Sequence, residues 1–258
     1  MLSLRPYYHP MQSVIPAEEK EVTYTEFLPC EALRPLIYCY WELKSPPRNT
    51  PFCYRVVADG CIDLFFDCNA PQISSLMGYC NTYVEIPIME AFHYVGVRFL
   101  PSAFPLLFGQ DAFEISAQEI PLCEVVPALA TYIAQQLEIP LSLAAIAQHL
   151  DNYFLRHLSQ RPLQMDNRFF SALLQILQSK GSIHISELDT GISTRQLRRL
   201  FDYYIGDSPK TFSNIVRFQH ILSAKAYHNH SFLDTYYDQA HFIKSFKTFY
   251  GDTPSKVL

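Results

Sequence analysis

No apolar run in the chain approaches the roughly 18 to 20 residues that a membrane span requires, so its 49% hydrophobic content points to a packed interior. The start, MLSLRPYYHPMQ, has no basic stretch leading into an apolar one. This predicts no secretory signal and, with the first absence, a cytoplasmic protein with no membrane partner. None of the seven cysteines (Cys30, Cys39, Cys53, Cys61, Cys68, Cys80, Cys123) forms a C-x-x-C pair, and their number is odd. A disulfide scaffold and a zinc module are both unsupported, and buried free thiols acting as small hydrophobes are expected instead. Also missing are a nucleophile elbow, a phosphate loop and an H-E-x-x-H helix. Cys61 with His93, or Asp63 with Asp67, can be written as a reactive pair, but neither sits in a motif with mechanical context. The expectation is a non-enzyme without metal or cofactor.

What is present is size, aromaticity and an uneven charge. A length of 258 residues suits one large or two ordinary domains, and 14% aromatics suits a sizeable core. Residues 1–158 hold 8 Lys+Arg against 17 Asp+Glu, a net of -9, whereas residues 159–258 hold 12 against 8, a net of +4. An acidic front and a basic back suggest different partners, with phosphate the candidate for the back.

The pattern from about 20 to 100 is β-rich. In CYRVVADGCIDLFFDC, Asp59-Gly60 is a turn dipeptide between two strand-like runs, which predicts a hairpin. Ile62, Leu64 and Phe66 alternate with Asp63, Phe65 and Asp67, the period of a half-buried strand. A second pair is predicted from VEIPIME and FHYVGVRFL, with Pro87 confining the first to an edge. Helical spacing follows Pro101, over 123 to 137 and 142 to 158, with Ser142 as a cap. Arg161-Pro162 then breaks the pattern and marks the boundary between domains 1–160 and 161–258. Everything beyond is helical in character, with Gly181, Gly206 and Gly251 at helix stops.

Two segments of that basic half repeat one another. With no gap, Ser193 falls on Asp238, Leu197 on Phe242, Arg199 on Lys244, Phe201 on Phe246, and Tyr204 on Phe249. Gly206 then falls on Gly251, Asp207 on Asp252 and Pro209 on Pro254, at a constant offset of 45 residues. Each copy begins with a capping residue and ends in a glycine stop, a new cap and a proline at the next helix's first position. Leu197, Leu200, Phe201 and Tyr204 form the buried stripe of the first helix, and Phe242, Phe246 and Phe249 that of the second. The first helix then presents Thr194, Arg195, Gln196, Arg198 and Arg199, with Asp202 at its edge. The second presents Gln239, Ala240, His241 and Lys244. A guanidinium fork suits a guanine edge and an amide suits adenine in the major groove of double-stranded DNA.

GISTRQLRRLF (Gly191 to Phe201), GDSPKTFSNIVRFQHIL (Gly206 to Leu222) and YYDQAHFIKSFKTFYGDTPS (Tyr236 to Ser255) together resemble the AraC/XylS family of transcription regulators. The resemblance implies an α+β protein: a β-rich N-terminal domain with trailing helices, then an all-α C-terminal domain of two helix-turn-helix units. A long helix, about Pro209 to His228, would join the units and hold the readers about one DNA turn apart. It further implies that Arg195, Arg198 and Arg199 read bases from the first recognition helix, about 193–204. Gln239, Ala240, His241 and Lys244 would do so from the second, about 238–249. The chain departs from the pattern where each unit's first helix belongs: SIHISELDTGIS is short, and SFLDTYYDQ shorter still, with Thr235 in place of a turn glycine. A second reader without a brace, and weaker or altered DNA binding, are therefore expected.

LRPLIYCYWE, RVVADGCIDLFF and YVGVRFLPSAFPLLFG are similar to an N-terminal domain of poorly defined function often found ahead of this module, with Ala58 where a proline is usual. Two readings of the front domain stay open: a sensor for a small-molecule effector, with Trp41, Arg55, Asp59, Asp63, His93 and Arg98 as pocket candidates, or a homodimerisation unit. Each pocket candidate has a plainer role as well, Trp41 in the core, Asp59 in a turn, Arg98 beside an acid. The alternative to DNA reading is a degenerate regulator that keeps the fold and acts through protein or ligand contacts.

Overall fold

A computed structural model describes residues 3–16, 18–48, 52–88, 91–137, 141–223 and 238–257. The chain is α+β, a β-rich N-terminal part followed by helices. Its strands are β1 (Thr23–Phe27), β2 (Ile37–Ser45), β3 (Phe52–Val56), β4 (Ile62–Asp67), β5 (Ala70–Met77), β6 (Val84–Ile88), β7 (Phe92–Phe99) and β8 (Glu119–Pro121). Six of them form an antiparallel sheet in the order β1-β2-β7-β4-β5-β8, and β3 pairs with β6 as a separate ribbon. The helices are α1 (Ala103–Phe108), α2 (Leu122–Val125), α3 (Pro127–Gln136), α4 (Leu143–Gln160), α5 (Asn167–Gln178), α6 (Thr194–Tyr204), α7 (Pro209–Ser223), α8 (Gln239–Tyr250) and α9 (Pro254–Val257).

The alternation in β4 sorts its side chains between two cores, as a period of two requires. Ile62, Leu64 and Phe66 are buried in the larger core with Val95, Val97 and Phe99 of β7. Phe65 faces the opposite side of the sheet, with Trp41 and Leu43 of β2 and Phe52 and Tyr54 of the ribbon. The larger core does not stop at residue 160. It continues through Phe154 of α4, Phe169 of α5, Phe201 of α6 and Phe212 of α7 to Phe246 of α8.

Two pairings predicted from local pattern are corrected. Asp59-Gly60 does not turn a hairpin: β3 pairs with β6, whereas β4 lies between β7 and β5. The reason lies in where the backbone of 57–60 finds its partners. Val57 N–H donates to the Gln12 side chain (3.0 Å), Ala58 N–H to the Phe249 carbonyl (3.1 Å), and the Asp59 carbonyl accepts from the Tyr8 hydroxyl. Gly60, at φ +68°, passes so close to the Phe212 ring that a Cβ there would lie 2.9 Å from it. The segment is thus buried under α7 by long-range contacts that outweigh a local turn preference. The second predicted pair fails likewise, because β6 joins β3 and β7 inserts between β2 and β4. Pro87 does sit at a ribbon edge, opposite Cys53.

The helical readings need smaller changes. Pro127 splits the helix expected over 123 to 137 into α2 and α3. Ser142 caps α4 by accepting from Ala145 N–H, and the helix ends at Arg161. The joining helix is seen as Pro209–Ser223; its predicted extension to His228, and SFLDTYYDQ up to Tyr237, lie outside the described residues. All seven cysteines are free, but Cys53 and Cys123 are exposed, contrary to the expectation of buried thiols. Cys53 alternates onto the outer face of its ribbon, and Cys123 is the second residue of a four-residue helix that buries only Leu122.

Gln219 of α7 ties the first residues of the chain to its far end. Buried, it donates to the carbonyls of Met11 (3.1 Å) and Ala58 (2.9 Å) and accepts from Met11 N–H (2.7 Å). Gln219→Ala strands these backbone groups away from water and is expected to cost about 2–4 kcal/mol. Urea denaturation reads this as a fall in midpoint; a midpoint within experimental error of wild type would refute the assignment.

Candidate nucleic-acid interface and the sheet cavity

The two repeated segments form helices of the same construction. Ser193 caps α6 by accepting from Gln196 N–H (3.2 Å), and Asp238 caps α8 by accepting from His241 N–H (2.7 Å). Both stop at a glycine in the left-handed region, Gly206 at φ +102° and Gly251 at φ +91°. Leu197 and Phe201 are buried in α6, where Phe169 stacks on Tyr204; Phe242, Phe246 and Phe249 are buried in α8, where Phe218 of α7 meets Phe246 and Phe249.

The opposite faces are open. Thr194, Arg195, Gln196, Arg198 and Arg199 are exposed on α6, as are Gln239, Ala240, His241 and Lys244 on α8. Arg198 reaches Asp202 at 4.0 Å along its own helix. Among the described residues, Arg195 and Arg199 have neither an ion-pair nor a hydrogen-bond partner, so their five-donor forks are unspent. Burial raises the Asp202 carboxyl, against a lowering by Arg198 and with a further rise from Asp207 and Asp111.

Where the brace of the first unit is expected, SIHISELDTGIS forms only a single 3-10 turn, Ile185–Glu187. The segment expected to brace the second unit lies outside the described residues; the last turn of α8 itself is held by the N-terminal part. The Phe249 and Thr248 carbonyls accept from Ala58 N–H (3.1 Å) and Tyr83 N–H (3.3 Å), and Gly251 lies against the Tyr83 ring. The end of α6 is held the same way. The Tyr203 carbonyl accepts from Ala112 N–H (2.9 Å), the Gly206 carbonyl from the Ser116 hydroxyl (3.0 Å), and Asp207 from the Asn81 amide (3.0 Å). A helix leaves its last carbonyls without internal partners; here loops of the N-terminal part supply several of them, while the capped ends stay exposed.

The six pocket candidates of the front part are not brought together. Trp41, Asp63 and Arg98 line a cavity of about 470 Å³ between the main sheet and the β3–β6 ribbon. Asp59 lies beneath it on Arg98 (3.3 Å). Arg55 is on the ribbon's other face, bonded to Glu85 (2.7 Å) and over the Tyr250 ring (5.8 Å). His93 pairs with Glu42 at 2.8 Å. Neither reactive pair forms. Cys61 adjoins the end of β4 that pairs with Phe99 and His93 the end beside Asp67, roughly 20 Å apart at 3.3 Å per residue. Asp63 and Asp67, four residues apart on one strand face, are separated by roughly 13 Å. Burial and the Asp59 charge also push the Cys61 thiol well up, away from the reactive thiolate.

Arg98 is the only cation lining the cavity among the described residues, and it is already engaged. It holds Asp63 through two bonds (3.2 and 2.8 Å), with Asp59 at 3.3 Å and Glu26 at 3.8 Å. Burial pulls the guanidinium down, but Asp63, Tyr24 and Asp59 together hold it well above its ordinary value. Burial raises Asp63 to about 6; Arg98 opposes this, and Asp59 and Glu26 add to it. Three acids on one cation leave the cluster a proton to share. Its folded affinity for that proton exceeds the unfolded one, so its stabilising contribution is full below the unfolded carboxylate range and is lost as pH rises through about 6. Carboxyl carbon-13 NMR is expected to show an apparent midpoint in this cluster well above an ordinary aspartate. A midpoint at or below the usual range would refute it.

With this geometry in hand, comparisons place the chain as follows. A family model described as "Domain of unknown function (DUF6597)" matches residues 25–121, the span from β1 to β8. No curated protein matches the chain. Among solved structures, "Crystal Structure of ToxT from Vibrio Cholerae O395" is similar over 92% of this chain and 97% of its own, at 10% identity and a TM-score of 0.29. At that score the likeness carries no argument. The matched family covers the sheet and its cavity but not α6 or α8.

Proposed function

We propose that the chain is a sequence-specific, DNA-binding transcription regulator of the AraC type, with α6 and α8 as its two major-groove readers. Residues 161–258 form the reading domain of two helix-turn-helix units, and residues 1–160 the domain that sets its response. Thr194, Arg195, Gln196, Arg198 and Arg199 contact DNA from α6; Gln239, Ala240, His241 and Lys244 contact it from α8. What carries the reading is one observation: two helices 45 residues apart share a side-chain cap, a buried apolar stripe and an exposed polar face. The exposed Arg195 and Arg199, without partners among the described residues, add the donors that guanine recognition needs.

A second reading is favoured by the 3-10 turn at Ile185–Glu187 in place of a full bracing helix. In that reading the chain is a degenerate regulator acting through protein or ligand contacts. Selection of bound sequences from random duplex DNA, using the full chain at low salt, separates the two. The primary reading expects an enriched motif and an affinity that falls steeply with salt, because each neutralised phosphate releases counterions. Enrichment of nothing would sink it. Sedimentation of the full chain with and without DNA tests for a homodimer, which asymmetric reading does not require.

A further inference from the structure

The cavity between the sheet and the ribbon is not used in reading DNA, yet its walls have a definite chemistry. Trp41, Phe65, Tyr94 and Phe92 make a continuous aromatic wall, with Trp41 and Phe65 centroids 6.3 Å apart, Phe65 edge-on to Tyr94 at 6.1 Å, and Tyr94 stacked on Phe92 at 6.0 Å. Tyr54 and Pro87 of the ribbon line it from the other side. Trp41 lies directly over Gly96, where a Cβ would meet the indole at 2.2 Å, so this position keeps the ring flat against the sheet.

Charge is where the lining is unbalanced. Asp63, Asp67 and Glu119 all line the cavity against the single Arg98, whose charge is taken up by Asp63, Asp59 and Glu26. Among the described residues Asp67 and Glu119 have no cationic partner; Asp67 accepts only from Asn69 N–H (2.8 Å). Asp67 is the cross-strand partner of Tyr94, and Glu119 lines the cavity from β8; after burial itself, these two carboxylates raise the Tyr94 hydroxyl. Glu119 and Asp63 are each opposite Met77, on either side of β5, so they lie roughly 10 Å apart across two strand spacings. Asp67 is about 13 Å from Asp63 along β4.

This spread decides the kind of cation. Carboxylates that far apart cannot close on a bare metal ion, and among the described residues no three His, Cys, Asp or Glu side chains converge to hold one. Aromatic faces carry the negative end of the ring quadrupole and repel anions, while attracting a cation that has shed its water easily. We infer that the cavity binds a small lipophilic organic cation, such as a quaternary ammonium or phosphonium. Its apolar body lies between the ribbon and the aromatic wall, and its charge sits in the negative field of Asp67 and Glu119 without a direct contact to both. The volume of about 470 Å³ is within the ordinary range for a compact ligand. This assignment does not depend on DNA binding.

Trp41 is the only tryptophan in the chain, so its fluorescence reports on this cavity alone. The test uses the full chain with two cations, tetraphenylphosphonium and benzyltrimethylammonium, against two anions of related shape, tetraphenylborate and benzenesulfonate. At least one cation is expected to change Trp41 emission saturably, with neither anion doing so. The paired substitution Asp67→Asn with Glu119→Gln, both at solvent-accessible positions, is expected to weaken that cation about tenfold while leaving the circular dichroism and Tm unchanged. Phe65→Leu provides a second arm, removing one ring without changing charge, and is expected to weaken binding severalfold. Anion binding at or above cation strength, an affinity unmoved by the charge-removing pair, or no saturable response to either cation would overturn the proposal.

Discussion

Alanine at both Arg195 and Arg199 is expected to weaken the full chain's affinity for its DNA site by about 100-fold or more, at about 1–3 kcal/mol for each lost bidentate base contact. Stability should not move, because both side chains are exposed and, among the described residues, have no partner that the substitution would strand. The matching change on the second helix, Gln239 and Lys244 to alanine, is expected to cost less. Its exposed residues carry two lysines, Lys244 and Lys247, where α6 carries three arginines. Mobility-shift titrations at two salt concentrations separate the contributions. Loss of a base contact lowers affinity and relaxes preference at that position, whereas loss of a phosphate contact flattens the salt slope. Equal losses from the two helices would show that α8 reads as strongly as α6 and that the inequality drawn from their residues is wrong. No loss from either would remove DNA from the account.

The largest effect on stability is expected at Arg98. Arg98→Met leaves the Asp63, Asp59 and Glu26 carboxylates without their cation, Asp59 and Asp63 being only 8% and 14% exposed. Breaking a buried ion cluster from one side costs about 3–5 kcal/mol, mostly as the desolvation of the charges left behind. The deficit should shrink at acidic pH, since protonating the stranded acids removes the unpaired charge, and grow as pH rises through the cluster's titration. Denaturant midpoints at pH 5 and pH 7.5 give both numbers. Arg98→Met combined with Asp63→Leu should recover part of the loss, which loss of packing alone would not produce. A single substitution with a wild-type midpoint at both pH values would show that the cluster is not what holds this face of the sheet.

What was legible in the chain divides by the range of the interaction. Caps, stops and stripes are local, depending on residues three or four apart, and Ser142, Ser193 and Asp238 all cap as their positions indicate. The face assignment of β4 was legible for the same reason, because Ile62, Leu64 and Phe66 must share a side. Strand partners were not. Asp59-Gly60 has every local property of a hairpin turn, yet its neighbours bond to Gln12, Tyr8, Gln219 and Phe249, which are distant in sequence. Of the pocket candidates, Trp41, Asp63 and Arg98 meet because β2, β7 and β4 are neighbours in an order that no local pattern encodes. The other carboxylates lining that cavity, Asp67 and Glu119, were not singled out as binding residues, since only the pairing of β8 with β5 puts Glu119 on the same sheet as Asp67.

The repeat remains the clearest case of both sides. From the residues alone come two helices at a 45-residue offset, each with one face for a core and one for solvent, because helical periodicity and capping are written within a single turn of chain. Tertiary structure decided how those helices are held. Their last carbonyls are satisfied by Ala58, Tyr83, Ala112 and Ser116 of the N-terminal part. A helix end takes its missing hydrogen bonds from whatever the fold places beside it, and that choice is made by packing across the whole chain.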